Sequence, residues 1–247
     1  MEVKLNSVAC RGFPLVVDSL TYEVGGKVLV KDVNLKKVST GITVILGHNG
    51  AGKSLLLKLL HGLLAPTSGR IYFGDEELSE SVRGSQSMVF QKPVLLRRTV
   101  RENLEFVFTL PHNRSRGARL DSLLDMVGLT PHKNQPARSL SGGEQQRLAL
   151  VRALASEPKV LFLDEATASL DPVSVGIMED IIVAQKQLGT KVFVITHDLH
   201  QAKRLADDVI FMDGGSVVEY QEARAFFVEP QTPPAKAYLS GDVNFYR

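Results

Sequence analysis

The octet Gly47-His48-Asn49-Gly50-Ala51-Gly52-Lys53-Ser54 constrains this chain more than any other stretch. It lies between the apolar run Ile42-Thr43-Val44-Ile45-Leu46 and the leucine-rich segment Leu55 to Leu64. Strand, glycine-rich turn and helix is the context in which G-x-x-x-x-G-K-[ST] cradles phosphate. The glycines let the backbone curl until successive N–H groups point inward, where a side chain would block a phosphate oxygen. A helix opening near Lys53 adds its positive dipole end. Lys53 is then placed to reach the β- and γ-phosphates, and the Ser54 hydroxyl to hold Mg²⁺. These residues predict a nucleoside triphosphate site on an α/β core.

A chain of 247 residues is long enough to bury a sizeable core as one large domain or two small ones. Its 29 Lys and Arg against 27 Asp and Glu create no global field that would draw nucleic acid or acidic lipid. The single cysteine, Cys10, cannot form an internal disulfide, which fits a reducing cytosol. No apolar stretch reaches bilayer-spanning length and the first residues lack a secretion signal, so a chain soluble by itself is expected.

Residues 3 to 38 alternate apolar and polar positions around Gly25-Gly26, predicting an antiparallel hairpin region that leads into the first buried strand. Tyr22 lies on it, either as a flat surface for a purine or as an aromatic filling a sheet face. Pro66 to Gly69 reads as a turn, Arg70 to Phe73 as a strand, and Ser87 to Phe90 as another strand ending in Gln91. From Thr99 to Val127 the period becomes helical, with Val100, Leu104, Val107 and Phe108 on one face and Leu120, Leu123, Leu124 and Val127 on another. A linker at 111–117 separates the two, and 92–155 is expected as a helical insertion between core segments 1–91 and 156–220. The core then resumes with Val160-Leu161-Phe162-Leu163, apolar throughout like a strand buried on both faces of a parallel sheet. Pro172 opens a helix whose buried stripe is expected at Val173, Ile177, Ile181, Ala184 and Leu188, ending at Gly189. Val192 to Ile195 is the next strand, Leu199 to Ala206 the next helix, and Gly214-Gly215 the turn of a closing hairpin. The tail, 221–247, reads as a short amphipathic piece followed by Pro-rich coil.

Asp164 and Glu165 stand at the carboxyl end of the apolar strand, where ligands bind in open parallel sheets. Neighbouring residues leaving a strand point in different directions, so the two carboxylates take different duties. Asp164 is placed for the Mg²⁺ shell and Glu165 to orient and polarise an attacking water. Further on, Leu140-Ser141-Gly142-Gly143-Glu144-Gln145-Gln146-Arg147 opens a helix whose buried face includes Leu148, Val151 and Ala155. Ser141 can cap it, and the glycines leave N–H groups bare at its positive end. Glycine in a helix costs about 1 kcal/mol relative to alanine, so a pair of them points to a purpose. This is a second anion site, and because one phosphate loop already wraps its own nucleotide, it invites a second chain.

The octet at 140–147 resembles the signature motif of the ABC (ATP-binding cassette) ATPases, and the resemblance covers nearly the whole chain in the family's order. Gly47 to Ser54 is similar to its Walker A motif, Gln91 to its Q-loop and Val160 to Glu165 to Walker B. Ser169-Leu170-Asp171 is similar to its D-loop, and His197 to its switch histidine. The resemblance implies ATP and Mg²⁺ as cofactors, with nucleotide contacts from Tyr22 and from Gly47, His48, Asn49, Gly50, Ala51, Gly52, Lys53, Ser54 and Leu55. It implies Mg²⁺ contacts from Ser54, Gln91 and Asp164. Catalytic roles fall to Glu165, His197, Gln91 and Lys53, and Gln91 also forms the hinge to the helical insertion. Ser141, Gly142, Gly143 and Glu144 are expected to act across a head-to-tail homodimer, with Asp171 in the D-loop. The remaining histidines, His48, His61, His112, His132 and His200, are expected at the surface, and no His/Cys spacing indicates zinc.

Within the family, the compact length and the tail Phe226 to Gly241 resemble importer cassettes for phosphate, polar amino acids and related small anions. The segment Gln91 to Val100 is most similar to tungstate importer cassettes. The resemblance therefore implies integral-membrane permease partners, an indirect solute-binding protein, no added C-terminal regulatory domain, and a cytoplasmic location on the inner face of the membrane. Soluble ABC proteins acting on ribosomes or DNA, and exporter cassettes, are the competing classes. The chain carries neither a second cassette, nor a long coiled-coil insertion, nor an acidic-glycine segment before the signature.

Overall fold

The computed structural model describes residues 14–38, 40–110, 119–168 and 170–242. The hairpin expectation over 3–13, Cys10, His112, the 111–117 linker and Ser169 lie outside the described residues.

Two strands, β1 (Leu15–Val24) and β2 (Lys27–Val38), form the expected hairpin. Val24 pairs with Lys27 across a two-residue turn in which Gly25 and Gly26 have φ of 58° and 77°. Both values lie in the left-handed region that such tight hairpins require. β3 (Ile42–Leu46) enters the phosphate loop, and α1 (Lys53–His61) leaves it. β4 (Ser68–Phe73) begins two residues before the expected Arg70 because Ser68 pairs with Thr21 of β1. β5 (Glu76–Glu77), α2 (Glu80–Arg83) and β6 (Gln86–Val89) follow. Next come α3 (Val100–Phe108), α4 (Leu120–Met126) and α5 (Gly142–Leu154), then β7 (Val160–Asp164) and α6 (Pro172–Gln187). The chain closes with β8 (Lys191–Ile195), α7 (Leu199–Leu205), β9 (Asp208–Asp213), β10 (Ser216–Glu222), α8 (Ala223–Val228) and α9 (Pro233–Ser240).

A four-stranded antiparallel sheet has the order β2-β1-β4-β5, and a six-stranded sheet the order β10-β9-β3-β8-β7-β6. In the larger sheet every pairing is parallel except that of β10 with β9. Side-chain alternation divides its buried strands between two cores. Ile42, Val44, Leu46, Leu161, Leu163, Val192 and Val194 face a cluster that takes in α3, α4, α5 and the C-terminal helices. Ile45, Val160, Phe162, Phe193 and Ile195 face the other cluster, shared with α1 and the antiparallel sheet. Strands buried on both faces read as unbroken apolar runs, which is why β3, β7 and β8 are legible in the sequence.

Three expectations are corrected. The buried stripe of α6 is Ser174, Met178, Ile181 and Ile182, whereas Val173 and Leu188 are 72% and 74% exposed. The stripe is turned by one residue, about 100° of helix, because Ser174 is drawn inward by Arg147, whose guanidinium donates to its hydroxyl at 2.5 Å. The Pro-rich coil at the tail is a helix, α9, with proline at its first turn, where the absent N–H costs nothing. Its entry is tied to β10 by the buried Glu219 carboxylate, which accepts from Gln231 N–H, Thr232 N–H and the Thr232 hydroxyl. Nor are the histidines all superficial. His61 packs edge-on against Phe162 at 5.6 Å, and His48 against Tyr238 at 5.1 Å.

Candidate nucleotide site

The carboxyl ends of four adjacent strands converge: β3 delivers the phosphate loop, β7 Asp164 and Glu165, β8 Thr196 and His197, and β9 Asp213. That edge is where an open α/β sheet binds ligands. Gly47 has φ 143°, and a Cβ there would stand 2.2 Å from the Met212 carbonyl oxygen, so the loop can leave β3 only as glycine. Gly215 N–H donates to Ala51 O at 3.1 Å and Lys31 N–H to Gly215 O at 2.8 Å, so the β9–β10 turn staples the loop to β2.

Lys53 is 6% exposed, and its ammonium donates to the carbonyls of Gly47 and His48, each at 2.8 Å. Burial pushes its pKa down, opposed by the carboxylates of Glu165 and Asp164. The Ser54 hydroxyl donates to Asp164 Oδ1 at 2.8 Å, across 110 residues of sequence. Gln91 Nε2 donates to Glu165 Oε2 at 2.9 Å, and His197 Nδ1 lies 3.8 Å from that same oxygen. Asn49, Gly50, Gly52, Lys53, Ser54, Leu55, Gln91 and Glu165 line one cavity of about 410 Å³. Glu165 and His197 also border a smaller one of about 210 Å³ with Thr196 and Asp198.

Glu165 has φ 48°, a left-handed conformation that a non-glycine residue adopts at a cost of about 1–3 kcal/mol. Its N–H donates to Ile195 O at 3.1 Å, which holds the turn and separates its side chain from that of Asp164, the last residue of β7. The sequence carries no sign of this strain. The loop beyond it is braced by Thr167, whose hydroxyl donates to Gln201, while Gln201 and Arg204 bind Glu179 of α6.

Ser141, Gly142, Gly143 and Glu144 line neither these two cavities nor the one beside His48 and Tyr238. They open α5 with a reciprocal cap. Ser141 accepts from Glu144 N–H, while the Glu144 carboxylate accepts from Ser141 N–H at 2.8 Å and its hydroxyl at 2.7 Å. Those hydrogen bonds hold Glu144 below the usual carboxylate range. Asp171 caps α6, accepting from Ser174 N–H at 3.0 Å, and the Ser174 side chain together with this N–H lowers its pKa too. The two helix starts meet, because a Cβ on Gly143 would lie 2.8 Å from Ser174 Oγ and 3.4 Å from Asp171 Oδ2. Gly143 is therefore small for packing, whereas nothing approaches Gly142. Gln146 Nε2 donates to Phe90 O at 2.9 Å, linking α5 to the residue before Gln91.

Tyr22 is half-buried on β1 opposite Val30, packs with the cluster under the antiparallel sheet, and lines none of these three cavities. Residues that spacing did not single out are Asp213 and Tyr238, which border a cavity of about 690 Å³ together with Gly47 to Ala51, His197 and Gly214. Burial lowers the pKa of His48 there, against the pull of Asp213.

Residues 30–168 match the model of the ABC transporter family. The methionine import ATP-binding protein MetN of Geobacillus kaustophilus is 37% identical over 87% of this chain and 66% of its own length. The chain thus spans a little under two thirds of that relative. The phosphate import ATP-binding protein PstB 2 of Natronomonas pharaonis is 34% identical over 96% of this chain and 89% of its own. Among solved structures, cbiO1 of Clostridium perfringens, part of the ABC transporter complex cbiONQ, superposes with TM-score 0.77 at 29% identity, covering 95% of this chain and 97% of that one. An ATP-binding subunit of an ABC transporter shares the fold with TM-score 0.81 at 24% identity, over 92% of this chain and all of that one. These names lend no support to the tungstate expectation drawn from Gln91 to Val100. A glycine-rich loop, a carboxylate-ended strand and a capped signature helix, arranged on the fold of these relatives, place the chain in the ABC transporter family.

Proposed function

We propose that this chain is the ATP-binding and ATP-hydrolysing subunit of an importer, working as a pair of identical subunits beneath a membrane permease. The observation that carries the reading is the double contact across the loop's cavity: Ser54 on Asp164, and Gln91 on Glu165. Lys53, released from the loop carbonyls, neutralises the β- and γ-phosphates. Ser54, Asp164 and the Gln91 amide are hard oxygen donors that fit Mg²⁺. Among the described residues no cluster of three His, Cys, Asp or Glu could hold a metal alone, in keeping with an ion that relies on waters and substrate phosphates. Bound there, Mg²⁺ supplies charge neutralisation between the phosphates. Glu165 accepts a hydrogen bond from the attacking water and withdraws its proton, and His197 donates to the γ-phosphate.

The signature residues lie apart from the loop's cavities, which supports their use by a second copy: each α5 start, with Ser141, Gly142, Gly143 and Glu144, would close over the other subunit's γ-phosphate. Hydrolysis then removes the contact that favoured closure. Residues 92–155 are proposed as the moving helical subdomain, hinged at Gln91, with exposed Val94 and Phe106 offering apolar contact to the permease. That partnership would hold the chain at the inner face of the membrane. The cargo is assigned as a small solute delivered by a binding protein. The relatives' names favour methionine or phosphate, and the tungstate reading rests on the 91–100 segment alone, which would meet the permease and not the cargo.

Replacing Glu165 by Gln tests the mechanism. With Mg²⁺ and ATP the variant should bind nucleotide, lose at least about 10²-fold in phosphate release, and accumulate as a dimer in sedimentation. Unchanged turnover would remove Glu165 from catalysis, and a monomer at saturating ATP would remove the paired site.

A further inference from the structure

The C-terminal helix has no role in the chemistry above, yet it reaches the phosphate loop. α9 is fixed at its start by Glu219, as described, and near its end presents Tyr238. The ring stands 5.1 Å from the His48 ring at an interplanar angle of 85° and 5.2 Å from Phe211 of β9, which in turn packs on Phe226 of α8 at 5.9 Å. Tyr238 also shares the lining of one cavity with Gly47 to Ala51, and burial raises the pKa of its phenol. The start of the loop is thus held by three contacts: Lys53 on the Gly47 carbonyl, the Met212 backbone where a Gly47 side chain would be, and the Tyr238 ring on His48. The first two belong to the loop and its sheet. The third comes from a helix nearly 200 residues later.

We propose that Tyr238 is a positioning residue for the ATP site: its ring braces His48, so that the loop is shaped before nucleotide arrives. A loop ordered in advance spends less binding free energy on ordering, so affinity rises without any contact between Tyr238 and ATP. The inference rests on the reading of Gly47 to Ser54 as the ATP-binding loop.

The test uses the full chain, a non-hydrolysable ATP analogue with Mg²⁺, and three variants. Tyr238→Phe keeps the ring, so the analogue's Kd and the KM for ATP should stay within about twofold of wild type. Tyr238→Leu removes the edge-to-face contact with His48, and both constants should rise about three- to tenfold, as loss of one aromatic pair allows, while kcat stays near wild type. Glu219→Gln, which loosens the far end of α9, should weaken affinity in the same direction. A Kd in Tyr238→Leu no weaker than in Tyr238→Phe, or weaker binding only in proportion to a fallen Tm across the three, would overturn the proposal and leave Tyr238 as core packing. Failure of the wild-type chain to bind the analogue would instead overturn the ATP reading itself.

Discussion

A histidine resting on an aromatic face reports the price of burial in pH. His61, at the end of α1, packs on Phe162, and its Nδ1 has no hydrogen-bond partner among the described residues. Burial, with Arg83 adding to it, pushes its pKa down to about 4 from 6.5. The folded state therefore holds His61 neutral where the unfolded chain would protonate it. Its contribution to stability is complete above pH 6.5 and is lost as pH falls from there towards 4, at up to about 1.4 kcal/mol per pH unit. His61→Leu should flatten that fall, seen as a smaller drop in urea midpoint between pH 7 and pH 5 than in wild type. Glu165 shows another residue-scale effect: its left-handed φ stores strain where the attacking water would be held. Carboxylate identity is legible in a sequence; a dihedral fixed by a hydrogen bond to the neighbouring strand is not.

At the scale of elements, the two glycines that open α5 separate into different jobs. Gly143 faces Ser174 and Asp171 at the start of α6, and Gly142 faces open space. Gly143→Ala drives a methyl against the buried Ser174 and should cost about 1–3 kcal/mol in denaturant unfolding. Gly142→Ala relieves backbone entropy and should stabilise the isolated chain by up to about 1 kcal/mol. If the bare N–H groups of α5 meet a partner's nucleotide, the same Gly142→Ala should lower ATP turnover despite its firmer fold, measured as phosphate release at dimer-forming concentrations. The doublet was visible in the sequence as a cost without a reason, and its division of labour depends on which neighbour lies 2.8 Å away. The α6 stripe failed for a related cause. Apolar periodicity placed Val173 inside, but the polar pair Ser174 and Arg147 turns the helix by one position.

Across the whole molecule, the sheet that delivers the site also buries a cation. Lys191 on β8 is fully buried, donates to the Thr43 hydroxyl of β3 and lies 4.9 Å over the Phe193 ring. Burial lowers its pKa to about 8 against the pull of Asp208 and Asp207. Because the unfolded lysine titrates near 10.5, the unfolded chain binds the extra proton between those values, so stability rises with pH from about 8 to 10.5. Lys191→Met should remove that rise, measured as the difference in urea midpoint between pH 7.5 and 9.5. The sequence by itself determined the glycine-rich turn between β3 and α1, the carboxylate-ended strand, the signature helix and the buried parallel strands. Each of these is carried by local backbone chemistry or by unbroken apolar runs. Only the tertiary structure decided that Ser54 meets Asp164, that Gln91 meets Glu165, that α9 is a helix, and that Tyr238 packs on His48. Contacts between side chains 74 to 190 positions apart leave no periodic trace, since what brings them together is the order in which strands are laid into the sheet.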